Sequence, residues 1–423
     1  MQTTGIQEYT TQFRVGKWLP SDQATLEKWL GHLIAETEKE NKPLLPVIQE
    51  FKDLIEGDPE IYMLFHQMLA QVPHRPPYNK NPAGGPQVRD YRLMLQLINQ
   101  IMTKAPEYNS TELVGFPINA IFDWSMGTSA GFAAFLNDKV NRQLKRILNE
   151  WGIFLGSADS CAVLNKDPKT GWFGRDAQAK MPHFDQEFIC DPQAPHHGFK
   201  SWDDFFTREF RPGVRPVASP EDDSVIVNAC ESAPYRIAHG VKRRDHFWIK
   251  AQPYSLEHMM AGNPLYEQFV GGTIYQAFLS ALSYHRWHSP VSGRIVSADV
   301  LEGTYYSETP AEGFDPGGPN NSQGYITEVA ARALIYIQAD NPDIGLICVM
   351  PVGMAEVSSC QITVYEGQHV KKGDQLGMFH FGGSTHCVFY GPKVKLEFDM
   401  HGQKPGLNSN NINVLSRIAT VVK

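Results

Sequence analysis

Apolar residues recur every three or four positions between residues 21 and 150, and this spacing predicts a series of amphipathic helices. Ser21 is placed to cap a first helix whose apolar face is Leu26, Trp29, Leu30, Leu33 and Ile34. A second face follows at Val47, Ile48, Phe51, Leu54 and Ile55 and closes at Gly57. Asp58-Pro59 then has the form of a cap and first helical position for a third helix through Leu64, Phe65 and Met68. Five prolines between residues 72 and 89 predict a loop. Helical spacing resumes at Met94, Leu97, Ile98 and Ile101, and again from Phe132 through Phe135, Leu136, Val140, Leu144, Ile147 and Leu148 to Trp151. Such stripes face a core by default.

The period changes from about residue 222. Short runs of β-branched and aromatic residues, separated by Gly, Pro, Asn and Asp, predict strands. The longest apolar run, Ile344 to Val352, has the length of a buried strand. A faint internal echo joins Pro290–Val296 and Glu302-Gly303 to Ala355–Ile362 and Glu366–Asp374, each a strand, a turn and a strand. The expected fold class is α+β, with a helical part over residues 1–155, an irregular linker over 156–200 and a β-rich part over 201–423.

Composition narrows the partners. A formal charge of −8 argues against nucleic acid or an anionic membrane surface, both of which favour concentrated Lys and Arg. The six cysteines form no Cys-x-x-Cys pair, which gives no sign of zinc or of a disulfide framework. The first residues, Met1-Gln2-Thr3-Thr4-Gly5, have neither the basic start nor the apolar stretch of a signal peptide, and no apolar run reaches membrane-spanning length. A soluble, cytoplasmic protein without a membrane or nucleic-acid partner is expected.

Candidate chemistry gathers around Phe379-His380-Phe381-Gly382-Gly383-Ser384-Thr385-His386. Two glycines remove the Cβ atoms in front of the Gly383 carbonyl, so the chain can bend sharply and that carbonyl can be approached. Ser384 supplies a hydroxyl beside it, able to attack once a base takes its proton. Alone, Gly-Gly-Ser-Thr after an apolar strand is a turn. Two further clusters change that: Tyr284-His285-Arg286-Trp287-His288-Ser289-Pro290, and Phe205-Phe206-Thr207-Arg208-Glu209-Phe210-Arg211-Pro212-Gly213-Val214-Arg215-Pro216. His285 and His288, three apart, could by themselves share a helix face and bind a metal, or point to solvent; no third ligand is evident.

In this order the three motifs resemble the phosphatidylserine decarboxylase family of pyruvoyl enzymes, through roughly residues 200 to 423. The helical half resembles the extra domain of the family's soluble fungal branch. The resemblance implies that the chain cuts itself between Gly383 and Ser384, that elimination and hydrolysis turn Ser384 into a pyruvoyl group, and that this group forms a Schiff base with a substrate amine before CO₂ leaves. It implies His288 as the base for cleavage and His285 as the proton donor in decarboxylation. The family's Asp-Gly, which orients the base, is replaced here by Glu231 in Ala229-Cys230-Glu231-Ser232. Fragments 1–383 and 384–423 would stay associated, and a homodimer is the family expectation.

Likeness to the fungal branch implies a free aromatic L-amino acid as substrate, tryptophan first, giving tryptamine. Spacing alone does not separate tryptophan from phenylalanine, tyrosine or phosphatidylserine, and phosphatidylserine decarboxylation is the alternative. The family core also resembles lipoyl and biotinyl carrier domains of barrel-sandwich form, which leaves a non-catalytic binding module as a remote alternative. A carrier displays a lysine on a tight hairpin between its two halves, and no such hairpin is found.

Overall fold

The computed structural model describes residues 23–40, 42–72, 88, 90–108, 116–245, 254–279, 282–309, 322–356, 359–380, 384–406 and 408–422. The expected cap at Ser21 and nearly all of the proline-rich loop lie outside these residues.

The helical stripes form the elements their spacing demands. Helices α1 (Gln23–Glu40), α2 (Pro46–Gly57), α3 (Pro59–Ala70) and α4 (Tyr91–Ile101) are followed by α5 (Pro117–Met126), α6 (Ser129–Leu136) and α7 (Asp138–Leu155). Ile48, Phe51 and Ile55 on α2 are fully buried. Asp58 caps α3 as expected, its Oδ1 accepting from the N–H groups of Glu60 at 3.1 Å and Ile61 at 3.3 Å. The stripe from Phe132 to Trp151 is not one helix. Asn137 interrupts it and caps α7, accepting from Lys139 N–H at 2.9 Å and Val140 N–H at 3.3 Å. Short helices α8 (Arg175–Lys180), α9 (Phe184–Glu187) and α10 (Trp202–Phe206) follow.

Beyond them come strands β1 (Val225–Val227), β2 (Ala233–His239), β3 (Thr273–Leu279), β4 (Arg286–His288), β5 (Gly293–Leu301), β6 (Arg332–Ala339) and β7 (Leu346–Gly353). Strands β8 (Ser359–Ile362), β9 (His369–Val370), β10 (Gln375–His380), β11 (Ser384–Tyr390), β12 (Leu396–Phe398) and β13 (Arg417–Val421) complete the set, with helices α11 (Leu256–Met259) and α12 (Gln323–Val329) inserted between strands.

The strands form a seven-stranded sheet in the order β2-β3-β11-β7-β6-β5-β9 and two three-stranded sheets, β4-β10-β8 and β1-β13-β12. Every strand pairing within them is antiparallel. The fold is α+β, and among the described residues these sheets pack against one another without closing into a barrel. The apolar run from Ile344 supplies β7, and both β7 and β11 are buried along their whole length because each is paired on both sides and covered on both faces. The two arms of the sequence echo part company: β5 belongs to the large sheet and β8 to a small one.

One apolar core lies around the sheets and another among the helices, where Tyr305, Tyr306 and Ala355 from the β-rich part join it. The Tyr306 ring packs edge-on against Phe122 of α5, with centroids 5.0 Å apart. Glu356, just beyond β7, accepts from the Asn119 backbone N–H at the start of α5 at 2.8 Å. The helical part is thereby fixed against the end of the large sheet where β7 finishes and β11 begins.

Candidate active site

Ser384 opens β11, and its Cα partners are Leu279, the last residue of β3, and Gly353, the last of β7. It therefore stands at the rim of the sheet. Its side chain is fully buried, and among the described residues its Oγ has no hydrogen-bond partner. A buried hydroxyl in this state is costly and calls for an explanation in strain or chemistry. The neighbouring Thr385 faces the other side of the sheet, where its Oγ1 accepts from Gln276 Nε2 at 3.0 Å and donates to the Ala277 carbonyl at 3.0 Å. Thr385 thus locks the strand immediately beside a serine whose hydroxyl is unpartnered among the described residues.

Gly382 and Gly383, the expected turn at the cleavage bond, lie outside the described residues, as does Phe381. Their flanks are anchored. On the N-terminal side, His380 ends β10 with Nδ1 3.0 Å from Asp203 and Nε2 2.7 Å from Gln361. On the other side Ser384 begins β11. Since β10 and β11 belong to different sheets, the three intervening residues are the tether between them.

Strand β4, with His285 immediately before it and His288 at its end, runs alongside β10. The register pairs His288 with Gln375 and Arg286 with Met378, while the His285 carbonyl accepts from Phe379 N–H at 3.0 Å. Of the pair, His285 lies nearer along β10 to the cleavage stretch. Burial alternates along the strand: His285 and Trp287 are fully buried, whereas Arg286 and His288 are partly exposed. Two residues three apart on a strand point to opposite faces, so the shared helix face considered for a metal pair is absent. Among the described residues no group of three His, Cys, Asp or Glu side chains could hold a metal ion.

His285 stacks on Phe206, with centroids 4.0 Å apart and planes 21° apart. On the other face, His288 Nδ1 lies 2.8 Å from the Gly373 carbonyl and Nε2 lies 2.9 Å from the Tyr284 hydroxyl. A carbonyl only accepts, so Nδ1 carries the proton and Nε2 presents its lone pair to Tyr284 O–H. Burial pushes the His288 imidazole below its ordinary value, with the Gly373 carbonyl pulling the other way. The ring is neutral at pH 7, with its basic nitrogen at Nε2.

Glu231 does not touch His288. Its carboxylate accepts from Arg215 at 2.8 and 3.1 Å and from Val414 N–H at 2.7 Å. The group that holds His288 Nδ1 is Gly373, whose φ of +94° favours glycine and whose missing Cβ would come within 2.6 Å of Val217. Glu231 is close enough to Tyr284 that its charge helps burial raise the phenol.

Comparison with known proteins decides the family. A phosphatidylserine decarboxylase model matches residues 202–408, and a second model of the same description matches residues 45–181. The L-tryptophan decarboxylase of Psilocybe cubensis is 36% identical over 419 residues, covering 93% of this chain and 92% of that one. The decarboxylase iboD of Amanita muscaria (strain Koide BX008) is 45% identical over 302 residues, 67% of this chain and 86% of the relative. Phosphatidylserine decarboxylase proenzyme 3 of Schizosaccharomyces pombe is 32% identical over 202 residues, 47% of this chain and 20% of that protein. The chain belongs to the phosphatidylserine decarboxylase family. It is a decarboxylase.

In this decarboxylase the Phe205–Glu209 segment braces the histidine segment. Arg208 is buried and donates to the carbonyls of Leu282 at 2.7 Å and Ser283 at 3.2 Å, while lying over the Phe188 ring at 4.5 Å. Burial pushes its guanidinium down to about 10, which still leaves it charged at neutral pH. Glu209 pairs with Arg286 at 3.2 Å, and Arg286 Nε donates to the Thr207 carbonyl at 2.7 Å. The strip thus holds residues 282 to 286 from below.

Three residues of the site carried no assigned role in the sequence. Tyr284 and Gly373 were visible only as a neighbour of His285 and as a turn glycine; nothing in one sequence shows that they bracket His288. His386 lies on the same face of β11 as Ser384, fully buried, with its edge towards Tyr275. Among the described residues neither ring nitrogen makes a well-formed hydrogen bond, though the Ala277 carbonyl is nearby, and burial pushes the imidazole down to about 3. His386 therefore stays neutral. A histidine two residues after Gly-Gly-Ser was the available signal.

Among the described residues no helix is long and apolar enough to cross a membrane.

Proposed function

We propose that this decarboxylase cuts its own chain between Gly383 and Ser384, gains a pyruvoyl group from Ser384, and acts on a free aromatic L-amino acid, tryptophan first, to give tryptamine and CO₂. The observation that carries this reading is the buried Ser384 Oγ at the rim of the sheet, without a hydrogen-bond partner among the described residues. A pyruvoyl precursor needs a hydroxyl free of competing bonds and an approachable carbonyl before it, and Gly-Gly-Ser supplies both. The residues present fit the group.

In cleavage, Ser384 Oγ bonds to the Gly383 carbonyl carbon as the peptide C–N bond breaks. Elimination then leaves Gly383 with a carboxylate, and water releases the former Ser384 nitrogen as ammonia. His288 is the base, with Tyr284 on its basic nitrogen passing the proton. A pyruvoyl group supplies a carbonyl that takes a substrate amine and draws off the electrons freed as CO₂ leaves. His285, on the buried face of β4, returns a proton to the former α-carbon of the substrate.

Fragments 1–383 and 384–423 remain together because β11 is hydrogen-bonded to both β3 and β7, and β13 to β1. The substrate choice is supported by the span of likeness. Relatives named L-tryptophan decarboxylase match 93% of this chain, helical part included, whereas the Schizosaccharomyces pombe phosphatidylserine decarboxylase matches 47%.

The test is to incubate the purified protein with tryptophan and a hydride reductant, and separately with phosphatidylserine vesicles, and to weigh the small fragment. An added amine mass from tryptophan supports the reading. A lipid adduct with none from tryptophan moves the substrate to phosphatidylserine.

A further inference from the structure

Lys372 lies in the turn over residues 371–374, between β9 and β10, and is 6% exposed, yet no step of the reaction above uses it. Lysine is seldom buried so far unless its charge is met. Here Nζ donates to three backbone carbonyls, those of Ser219 at 2.7 Å, Asp222 at 2.7 Å and Val225 at 3.1 Å. Three acceptors match the three protons of an ammonium group. Burial pulls the group below its ordinary value, and the charges of Asp223, Asp222 and Glu221 oppose that pull. Ser219 itself is at φ +47°, in the left-handed region that a serine seldom adopts without support.

The two segments that Lys372 joins are the two that hold His288. The chain over residues 219–225 enters β1 and continues to Ala229, whose carbonyl accepts from His288 N–H at 2.9 Å. The turn over 371–374 supplies the Gly373 carbonyl, 2.8 Å from His288 Nδ1. One contact fixes the backbone of His288 and the other fixes its ring. The turn is also bonded to the chain after β4: Gly373 N–H donates to the Ser289 carbonyl at 2.8 Å, Ser289 N–H to the Asp374 carbonyl at 2.7 Å, and Lys372 N–H to Ser292 Oγ at 3.1 Å. Lys372 Nζ adds the bond to the chain entering β1 and closes the ring of contacts around the histidine.

We propose that Lys372 is a positioning residue for self-cleavage: by tying the turn over 371–374 to the chain entering β1, it holds the Gly373 carbonyl on His288 Nδ1 and keeps the basic nitrogen at Nε2. The inference rests on the reading of His288 as the cleavage base and deepens it. Without the tie the carbonyl is free to leave the ring. The imidazole then loses an acceptor that favours its protonated form, which makes it a weaker base, and its proton is no longer confined to Nδ1. Arg286 and Asp374 are the charged groups that act on the ring and Tyr284 is its other partner; substitution at Lys372 alters none of them.

The test is to make Lys372→Met by cell-free synthesis and follow its cleavage by intact mass across a series of pH values. Cleavage is expected to slow by about tenfold or more, part of the 100- to 10,000-fold that a positioned base supplies, and the acid limb of the rate should move to lower pH than in the wild type. Lys372→Arg, which keeps the charge and the donors, should recover part of the rate and bring the limb back. Melting temperatures are read in a Ser384→Ala background, where the chain stays whole, so that stability is measured apart from cleavage. A wild-type rate, or a slower rate with an unmoved acid limb, overturns the inference, because a purely structural anchor would change stability alone. If Lys372→Met does not fold, Lys372→Gln is read by the same criteria. His288→Ala separates the two readings: a His288→Ala chain cut at the wild-type rate overturns the choice of base and this inference with it, whereas an uncut His288→Ala chain beside a Lys372→Met chain cut like the wild type overturns this inference alone.

Discussion

The Tyr284 hydroxyl donates to His288 Nε2 at 2.9 Å, so the basic nitrogen of the proposed base is already bonded. The phenol is itself raised by burial and by the charge of Glu231, which keeps it a donor. If His288 is the base for Ser384, as proposed, the serine's proton would pass through Tyr284. Tyr284→Phe is expected to slow self-cleavage by about 10- to 1000-fold, the range of a lost proton-transfer group, with the folded state retained. Cleavage at the wild-type rate, followed by intact mass over time, would remove Tyr284 from the path.

His285, just before β4, and His288, its last residue, point to opposite faces, which supports giving them separate roles as proposed. His285→Gln is expected to leave cleavage intact while lowering kcat by about 100-fold or more, the usual effect of losing a positioned acid. The check is a steady-state assay on protein whose mass shows complete processing. An uncut His285→Gln chain would place His285, the histidine nearer the cleavage stretch along β10, in the first reaction instead.

Glu231 satisfies Arg215 and the Val414 N–H, a binding pattern that makes it a structural anchor. Removing one partner of a buried ion pair costs up to about 3–5 kcal/mol, here eased by Glu187, which also pairs with Arg215 at 3.5 Å. Glu231→Ala is therefore expected to lower the denaturation midpoint strongly, whereas Glu231→Gln, which still accepts from Val414, should lose less and still be cut. A Glu231→Gln protein that is fully stable yet uncut would restore Glu231 to a direct role in cleavage.

Glu356 gives a pH dependence with a definite sign. Burial pushes its carboxyl up to about 8, against the pull of the Asn119 N–H. In the unfolded chain such a carboxyl ionises near ~4.3. Between those values the folded protein holds a proton that the unfolded chain has lost, so this group's contribution to stability is present at low pH and declines as pH rises towards 8. Glu356→Gln keeps an acceptor for Asn119 and cannot ionise. Melting temperatures at pH 5.5 and 8.5 should fall less in the variant than in the wild type; an equal fall would mean that Glu356 is ionised throughout.

Local signals in the sequence anticipated much of this molecule, and its failures have physical causes. Asp58-Pro59 and the stripe at Ile48, Phe51 and Ile55 are short-range signals, and both formed as expected. At Asn137 an uninterrupted apolar stripe conceals the cap that divides it. The site motifs were legible as types of residue, but their contacts were not. Glu231 was expected beside His288, yet Arg215 and Val414, distant in sequence, claim it. Gly373, 85 residues beyond His288, holds the imidazole through a backbone carbonyl that no side-chain pattern reveals. The spacing of His285 and His288 was open between helix and strand, and the pairing with β10 decides it.

The most direct measurement is the intact mass, under denaturing conditions, of the purified wild-type protein and of Ser384→Ala. The expected result is two wild-type masses divided between Gly383 and Ser384, the smaller with a blocked N-terminus, and one uncut, inactive Ser384→Ala chain. A single full-length mass from active wild-type protein, or a cut Ser384→Ala chain, would contradict the proposal that Ser384 is the source of the catalytic group.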